Sequence, residues 1–366
     1  MKKLFIAAIA ASAIFLLASC SPADEEAEPE SSLPPVEVIT PTPSPVFSPT
    51  LTPEETPYDG PRSPLSGLPV DEQSVNLRPL AGVINNRKVA LPQLGVSKAD
   101  IIVEVPVEGA YTRMVALFQD ASDAGNIGSI RSARPYLIDI AQAFDSIFIH
   151  AGGSNDAYKL LKSRGIDRFD ETNGPGSSMF FRDATRRKTM GLEHSLLTSS
   201  AKIGEYIGAL GYRLEHEAGY ASQLRFEDEL EISGEKAWSV TLRFNSSKSA
   251  VFEYDGDEGL YRASQQGGDY VDGNTGEQLT FANLIIIKTS IRVIDSEGRL
   301  SIDLTSGGEG CFAVGGQYVP VTWSKASASE PFVFKDGSGE RITLRTGRTY
   351  VAIMSNSAGV EFSEGQ

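Results

Sequence analysis

Residues 135–155 read PYLIDIAQAFDSIFIHAGGSN and contain the clearest helix and strand pattern of the chain. The apolar side chains of the first part recur with the i, i+3, i+4, i+7 spacing of an amphipathic helix, at Leu137, Ile140, Ala141 and Phe144. The apolar run 146–149 then predicts a buried strand, and a glycine-rich turn leads into a second predicted helix at 155–162. Helix, strand and helix in succession indicate an α/β arrangement.

The sequence on either side of this stretch predicts two parts with different patterns. Before residue 225, strands are predicted at 80–84, 100–107 and 113–118, and another helix at 199–210. After about residue 238, strand-like runs are broken by Asp/Gly turns and by the predicted hairpin at 314–317. These turns lack the ligand spacing of calcium loops. We therefore predict an α+β fold, with an α/β N-terminal subdomain at 62–225 joined to a β-rich C-terminal subdomain at 226–356.

The first residues have the pattern of a lipoprotein signal peptide. Lys2 and Lys3 precede an uncharged apolar run at 4–18, which is shorter than the roughly 20 residues of a membrane span. Leu17-Ala18-Ser19-Cys20 matches the sequence that is cleaved after diacylglycerol is attached to the cysteine. We predict a signal peptide at 1–19 and lipidation of Cys20, which would hold the chain on the extracytoplasmic face of the cell membrane.

The segment 20–61 is predicted to be a disordered linker. Residues 21–61 contain eleven of the 20 prolines of the chain and nine carboxylates, without any lysine or arginine. Such a composition buries too little apolar surface to offset the entropy lost on ordering. The only other cysteine, Cys311, lies in an apolar run and is predicted to be a small core residue, so no internal disulfide is expected.

The remaining chain is acidic. Without Lys2, Lys3 and the nine linker carboxylates, 31 basic and 39 acidic residues give a net charge of −8 from residue 62 onward. An acidic body has no general attraction to nucleic acid or to anionic lipid headgroups. No nucleic-acid partner is therefore expected, and any anion must be bound by a local basic site.

Two arginines precede the first predicted helix and suggest such a site. Arg131 and Arg134 lie at or just before the helix N-terminus, because Pro135 suits its first turn. The helix macrodipole disfavours cations at this end. One interpretation is that both guanidinium groups hold an anion. The alternative is that they form structural salt bridges with the many carboxylates of the chain.

His150 ends the predicted strand, and Gly152 and Gly153 form the turn behind it. Glycines allow a backbone to approach a ligand, and the next helix, capped by Ser154 or Asn155, would point N–H groups at the turn. We predict that these residues contact a ligand, although the segment is neither a P-loop nor a dinucleotide fingerprint. The structural alternative is a histidine that serves only the fold.

Other polar residues form a third candidate group. Arg182 and Asp183 follow two phenylalanines, Asn85 ends a predicted strand, and His194 is one of three histidines in the chain. We predict that these four side chains contact a ligand. The alternative for Arg182, Asp183 and His194 is a buried polar brace. A metal site that uses His150 and His194 is not favoured, because no closely spaced ligand pair supports it. No cofactor is expected.

The same segments resemble the YerB-like lipoproteins, a bacterial family of two joined domains of unknown function. The resemblance covers nearly all of 64–354, but His194-Ser195 replaces the His-Asn that the family tends to have, and Thr349-Tyr350 replaces Thr-Trp. It implies family and location and no established activity. The matching segments are Ser63–Pro69, Val83–Asn86, Leu94–Ile101, Ile127–Tyr136, His150–Ser154, Phe181–Asp183, Leu279–Asn283, Gly315-Gly316, Thr322-Trp323 and Gly347.

These patterns predict a membrane-attached binding or accessory lipoprotein that recognises an anionic or carbohydrate-like component of the cell envelope. One alternative is a hydrolase or transferase that acts on phosphodiester or glycan bonds in the same cleft. In that case His150 or His194 would be the base, and Asp139 or Asp183 would orient it. A third possibility is a structural partner protein without a ligand pocket.

Changing Cys20 to serine removes the only thiol of the predicted cleavage sequence. The Cys20→Ser variant is expected to lose lipid labelling, and to be released or to remain as unprocessed precursor. Labelling of cells with radioactive palmitate, followed by membrane fractionation, measures both effects. A variant that stays as lipid-labelled and as membrane-bound as the parent would contradict the lipoprotein prediction.

Overall fold

The structure is a computed structural model, and it describes residues 58–220 and 222–364. The predicted signal peptide, the lipidation site at Cys20 and the linker as far as residue 57 lie outside the described residues. Among the residues that are described, no helix is both long and apolar enough to cross a membrane.

The N-terminal part mixes strands and helices. Its α-helices are α1 (Pro135–Gln142), α2 (Asn155–Ser163), α3 (Ala184–Met190) and α4 (Ser200–Tyr206). Its strands are β1 (Leu80–Asn85), β2 (Ile101–Pro106), β3 (Thr112–Phe118), β4 (Asn126–Gly128), β5 (Ile147–His150), β6 (Arg168–Asp170), β7 (Phe181–Arg182) and β8 (Leu196–Ser199).

The C-terminal part consists of strands and their connections. Its first eight strands are β9 (Phe226–Glu227), β10 (Glu235–Lys236), β11 (Ser239–Asn245), β12 (Lys248–Asp255), β13 (Leu260–Gln265), β14 (Gly268–Asp269), β15 (Thr280–Phe281) and β16 (Asn283–Thr289). The remaining strands are β17 (Ile291–Val293), β18 (Leu300–Ile302), β19 (Gly308–Val314), β20 (Gln317–Ser324), β21 (Val333–Lys335), β22 (Leu344–Arg345), β23 (Thr349–Ser355) and β24 (Gly359–Ser363). The predicted α+β class, with an α/β first part and a β-rich second part, is confirmed.

Both parts contribute to one large sheet, which the sequence did not predict. Its strand order is β10-β20-β19-β16-β23-β2-β3-β1-β5-β6, and β21 also pairs with β20. The two parts meet where β2 pairs in parallel with β23, with Ile101 opposite Thr349 and Glu104 opposite Ala352. The predicted subdomain limits, 62–225 and 226–356, stay a prediction, because this sheet continues through both parts.

The large sheet is the middle of three layers. Successive side chains of a strand point to opposite faces. On one face Val103 belongs to an apolar cluster with Leu137 and Ile140 of α1. On the other face Ile102 belongs to a cluster with Phe252, which lies in a second sheet of order β14-β13-β12-β11-β24, with β15 paired to β13. The core therefore lies on both faces of the large sheet.

A charged pair is buried between the two sheets. The Nζ of Lys248 on β12 lies 3.1 Å from Oε1 of Glu104 on β2, and these side chains are 3% and 1% exposed. The Thr112 hydroxyl donates to the same oxygen at 2.6 Å, and the Tyr350 hydroxyl donates to Oε2. Lys248 also donates to Oε1 of Gln265 at 2.6 Å. Burial and the nearby Glu104 raise the pKa of Tyr350, so this hydroxyl remains a donor.

The predicted helices agree with the structure except at the end of α4, and the predicted burial of Cys311 is only partly correct. Helices α1 and α2 form as predicted, and Ser154 is the cap of α2, since its side chain accepts a hydrogen bond from the Ala157 amide. The helix predicted at 199–210 ends at Tyr206, where Gly208 follows and is a poor helix former. Cys311 on β19 is half-buried rather than fully enclosed, and burial raises the pKa of its thiol.

Removing the buried lysine tests the importance of the charged pair. Lys248→Met leaves Glu104 enclosed without a counter-charge, so we expect the free energy of unfolding to fall by about 3–5 kcal/mol. Lys236→Met is the matched control, because Lys236 pairs with Glu364 at the surface, and it should change stability by less than about 1 kcal/mol. Urea unfolding of both variants measures the difference. Equal losses of unfolding free energy in the two variants would show that the buried pair contributes no more to stability than the surface pair does.

Candidate functional site

The structure distributes the predicted ligand-binding residues over three neighbouring clusters. Each cluster is held by its own hydrogen bonds. The first contains Asn85, Arg131, Arg182, Asp183 and His194, the second contains Arg134, and the third contains His150, Gly152 and Gly153.

The first cluster surrounds the short turn Leu192–His194 and is called the Arg131 cluster. Arg131 donates from Nη1 to the carbonyl oxygen of Glu193 at 3.1 Å, and its Nη2 lies 3.4 Å from Oε2 of the same residue. Arg87 approaches this oxygen to 3.9 Å. The Glu193 side chain is 63% exposed, so two guanidinium groups share one solvent-exposed carboxylate at long distances.

Three arginines hold the carbonyl groups of this turn. Arg182 donates to the carbonyl of Leu192 at 2.8 Å, Arg131 to that of Glu193, and the buried Arg186 to that of His194 at 3.2 Å. Arg186 also donates to the carbonyls of residues 90 and 92. These bonds fix the backbone that presents His194. Sequence reasoning missed Arg186 and Arg87, because their partners are backbone groups and an exposed carboxylate distant in the chain.

His194 accepts a hydrogen bond as a neutral imidazole in this cluster. Asn85 Nδ2 lies 2.8 Å from His194 Nδ1, and an amide nitrogen can only donate, so the ring proton of the neutral imidazole is on Nε2. Burial, together with the nearby charges of Arg131 and Arg87, lowers the pKa of His194. Asp183 instead caps α3, where its carboxylate accepts from the Arg186 amide at 2.7 Å.

Asn85 connects the Arg131 cluster to the buried charged pair. Gln93 donates to the Asn85 carbonyl at 3.0 Å and to Asn86 Oδ1 at 2.8 Å. Asn86 donates to the Thr112 hydroxyl at 3.0 Å, and that hydroxyl donates to Glu104. A continuous series of hydrogen bonds therefore runs from Glu104 to the imidazole of His194.

The second cluster joins Arg134 to Glu108. Arg134 Nε donates to Glu108 Oε2 at 3.1 Å, and its Nη2 bonds Oε1, while Arg113 lies 3.3 Å from that oxygen. Burial and the neighbouring charge of Arg134 lower the pKa of Arg113 to about 10. Burial alone would raise the pKa of Glu108, but the two arginines hold it below its usual value. Arg134 thus has a well-formed structural partner.

The third cluster encloses His150 completely. Its Nδ1 lies 2.8 Å from the Gly152 carbonyl and 3.7 Å from Asp170 Oδ1, and its Nε2 is buried without a hydrogen-bond partner among the described residues. Asp170 accepts from the Gly152 amide at 2.9 Å and from the Tyr158 hydroxyl at 3.0 Å. Burial lowers the pKa of His150. The imidazole therefore does not face solvent.

The glycine turn is used by the fold itself. Gly152 has a φ of +72°, a conformation that favours glycine. Its carbonyl accepts from the Ala133 amide at 2.9 Å, and the Ser154 amide donates back to the Ala133 carbonyl at 3.3 Å. Gly153 faces Ala133 in the same bridge. These bonds pair the turn with the segment that carries Arg131 and Arg134 and bring the three clusters side by side.

The groups suggested for catalysis lie apart. Asp139 pairs with Arg164 at 2.7 Å, and burial raises its pKa. Asp183 is occupied as a helix cap. His150 and His194 belong to different clusters, and the part of the chain that the structure describes holds no group of three or more histidine, cysteine or acidic residues suited to a metal ion. The geometry thus offers guanidinium donors and one neutral imidazole.

Comparisons with known proteins agree with the resemblance seen in the sequence. The family model "Protein of unknown function (DUF3048) N-terminal domain" matches residues 65–213, and its "C-terminal domain" counterpart matches residues 240–351. "Putative lipoprotein YerB" of Bacillus subtilis (strain 168) is 30% identical over 308 residues, which are 83% of this chain and 89% of the relative. The crystal structure of the YerB protein from Bacillus subtilis matches with a TM-score of 0.70 and 29% identity, over 82% of this chain and 99% of that one.

The two buried histidines predict a loss of stability in mild acid. Burial lowers the pKa of His150 and of His194 below 6.5, so the unfolded chain takes up protons first as the pH falls. Stability should therefore decrease from about pH 7 to 5, by up to about 1.4 kcal/mol per pH unit for each histidine. His150→Gln keeps a donor for Gly152 and should make this slope shallower in urea unfolding. Identical slopes in parent and variant would contradict the prediction.

Proposed function

The chain belongs to the DUF3048 family, and on that premise we propose that it is a lipoprotein that binds an anionic or carbohydrate-like component of the cell envelope at the Arg131 cluster. The observation that carries the proposal is a local excess of arginine. Four guanidinium groups lie near one another, but they share two carboxylates. The arginines are Arg87, Arg113, Arg131 and Arg134, and the carboxylates are Glu108 and Glu193.

The attachment of the chain to the membrane is part of this proposal. The Bacillus subtilis relative is named as a lipoprotein, and this chain carries Leu17-Ala18-Ser19-Cys20 after an uncharged apolar run. Diacylglycerol on Cys20 would hold the folded body at the extracytoplasmic face. The proline-rich linker 20–61 would then act as a spacer between the membrane and the body.

The excess of arginine is unusual because the body as a whole is acidic, with a net charge of −8 from residue 62 onward. Like charges repel, and the proximity of Arg87 and Arg134 contributes to the lowered pKa of Arg131, after burial. A bound anion would relieve this repulsion through charge-assisted hydrogen bonds. The overall negative charge would at the same time exclude anions from other surfaces.

Glu193 marks the position that an anionic group would take. Its carboxylate is exposed, and its distances of 3.4 Å from Arg131 and 3.9 Å from Arg87 are long for ion pairs. Little free energy is therefore lost when the Glu193 side chain rotates into solvent. A phosphate or carboxylate of a ligand would then occupy the space between the two guanidinium groups. His194, the neutral imidazole beside them, would add a polar neighbour rather than a further charge.

An exposed aromatic ring adjoins this position. Arg87 lies 4.3 Å from the centre of the Tyr111 ring and donates to its hydroxyl at 3.2 Å. Tyr111 is 42% exposed. A planar ring that is held in place by a cation offers a surface for the apolar face of a sugar. This arrangement supports a ligand that combines anionic groups with sugar rings or similar polyols.

Replacing the two half-buried arginines, Arg87 and Arg131, tests the proposal. The double variant Arg87→Gln/Arg131→Gln should lose about 1.5–3 kcal/mol of stability, because the bond from Arg131 to the Glu193 carbonyl is removed, while the two long ion pairs contribute little. It should lose the rise in melting temperature that inorganic phosphate or poly(glycerol phosphate) causes in the parent. At a ligand concentration of 100 Kd the parent gains about 2.7 kcal/mol. Calorimetric melting measures both effects.

The control is Arg243→Gln, which breaks an exposed pair with Glu361 on another strand and should keep the full response to ligand. Arg134 is left unchanged, because its pairing with Glu108 serves the fold. A parent protein that neither anion stabilises, or a double variant that responds like the parent, would overturn the proposal.

A further inference from the structure

A large cleft in the described part of the chain has none of the predicted ligand-binding residues in its lining. Its volume is about 1010 Å³, and its walls come from the C-terminal ends of α1 and α2 and from the ranges 213–220 and 324–333. This is at the upper end of the range of small-ligand pockets, roughly 300–1,000 Å³. The cleft can therefore accommodate a ligand of several sugar-sized units.

The lining of this cleft is polar but nearly balanced in charge, with five basic and four acidic side chains. Several of them pair with one another: Arg78 lies 2.5 Å from Asp167, and Arg213 lies 2.7 Å from Asp145. Such a surface offers donors and acceptors in alternation. It suits a ligand rich in hydroxyl groups better than a polyanion, which would need an excess of positive charge.

Three polar groups of the lining retain hydrogen-bonding capacity. Arg341 is exposed and has neither an ion pair nor a side-chain hydrogen bond among the described residues. The Ser146 hydroxyl is buried without a partner in the same part of the chain, and the residue is 3% exposed. Lys325 donates to the carbonyls of Ser327 and Ala328, which leaves one hydrogen of its ammonium group. Of these groups, Arg341 is the exposed one that a ligand in the cleft can reach directly.

An apolar cavity adjoins the cleft. It holds about 30 Å³ and lies against the large sheet, where Val103, Phe332 and Val351 contribute to its lining. Ala143 and Tyr220 line both the cavity and the cleft. A cavity of this size holds about one or two water-sized groups, and one with apolar walls favours an apolar occupant. It therefore suits a methyl group or a short acyl group that is attached to a polar ligand.

We propose that this cleft binds a glycan of N-acylated amino sugars, with the sugar hydroxyls on the polar lining and one acyl methyl group in the apolar cavity. The proposal goes beyond anion binding, because it concerns a separate site and a ligand whose recognition does not depend on negative charge. Arg341 would donate to ring or hydroxyl oxygens at the cleft wall. The acyl group would distinguish this ligand from glycans that carry hydroxyl groups alone.

The probe is the tetramer of β-1,4-linked N-acetylglucosamine, titrated calorimetrically into the full-length protein. The comparison ligand is cellotetraose, which has the same linkage without acyl groups. We expect the acetylated tetramer to bind at least about tenfold more tightly, as is typical when an apolar pocket accepts one additional carbon group. No binding of the acetylated tetramer, or equal binding of the two tetramers, would overturn the proposal.

Two variants locate the binding. Arg341→Ala should weaken binding of the acetylated tetramer by about tenfold or more, the loss expected for a hydrogen bond to a charged group. Its matched control is Arg292→Ala, an exposed arginine on β17, which should bind like the parent. Ala143→Val narrows the cavity and should remove the preference for the acetylated tetramer. If Ala143→Val does not fold, the affinity of Arg341→Ala for the acetylated tetramer still shows whether the glycan binds in the cleft.

The Arg87→Gln/Arg131→Gln variant separates the two proposals, because it should bind the acetylated tetramer normally. Unchanged binding in Arg341→Ala, or loss of binding in the arginine double variant instead, would place the glycan elsewhere and overturn the proposal for the cleft. Neither result would depend on whether phosphate binds at the Arg131 cluster.

Discussion

Glu104 and Lys248 are charged side chains enclosed between two sheets, where removing water costs several kcal/mol per ion unless each is well partnered. The neighbouring polar groups meet this demand: Thr112 and Tyr350 donate to the carboxylate. Further amide side chains continue the hydrogen bonds as far as His194. The interior therefore holds the backbone of Asn85, whose side chain donates to the buried imidazole of His194. The Arg131 cluster is built on the core rather than on a loose loop.

The local elements of the fold could be predicted because their signals are local. The spacing of apolar residues predicts α1, and Ser154 as a helix cap predicts where α2 begins. The joining of the two parts through β2 and β23 could not be predicted in this way. Glu104 and Tyr350, which meet at this junction, are 246 residues apart in the sequence, and a single sequence holds no pattern that pairs strands at such a distance. The two parts thus looked like separate subdomains.

The candidate site was predicted only in outline, for a similar reason. Arg131 and Arg134 look equivalent in the sequence, but Glu108 takes Arg134 into a part-buried pair, while Arg131 shares the exposed Glu193. The two arginines therefore have different environments, although their local sequence contexts are alike. His150 ends a strand, as predicted, but the glycine turn folds back towards Asp170 and encloses the ring. The environment of each side chain depends on contacts that no local pattern specifies.

The parallel pairing of β2 with β23 also bears on how the protein is made. During synthesis β2 emerges early, but its partner, residues 349–355, comes close to the end of the described chain. Until then β2 has an open edge, which is prone to pairing with other chains. Long-range contacts of this kind slow folding. Completion of the large sheet therefore waits until nearly all of the described chain has been made, and a chaperone that covers the open edge would prevent aggregation in the meantime.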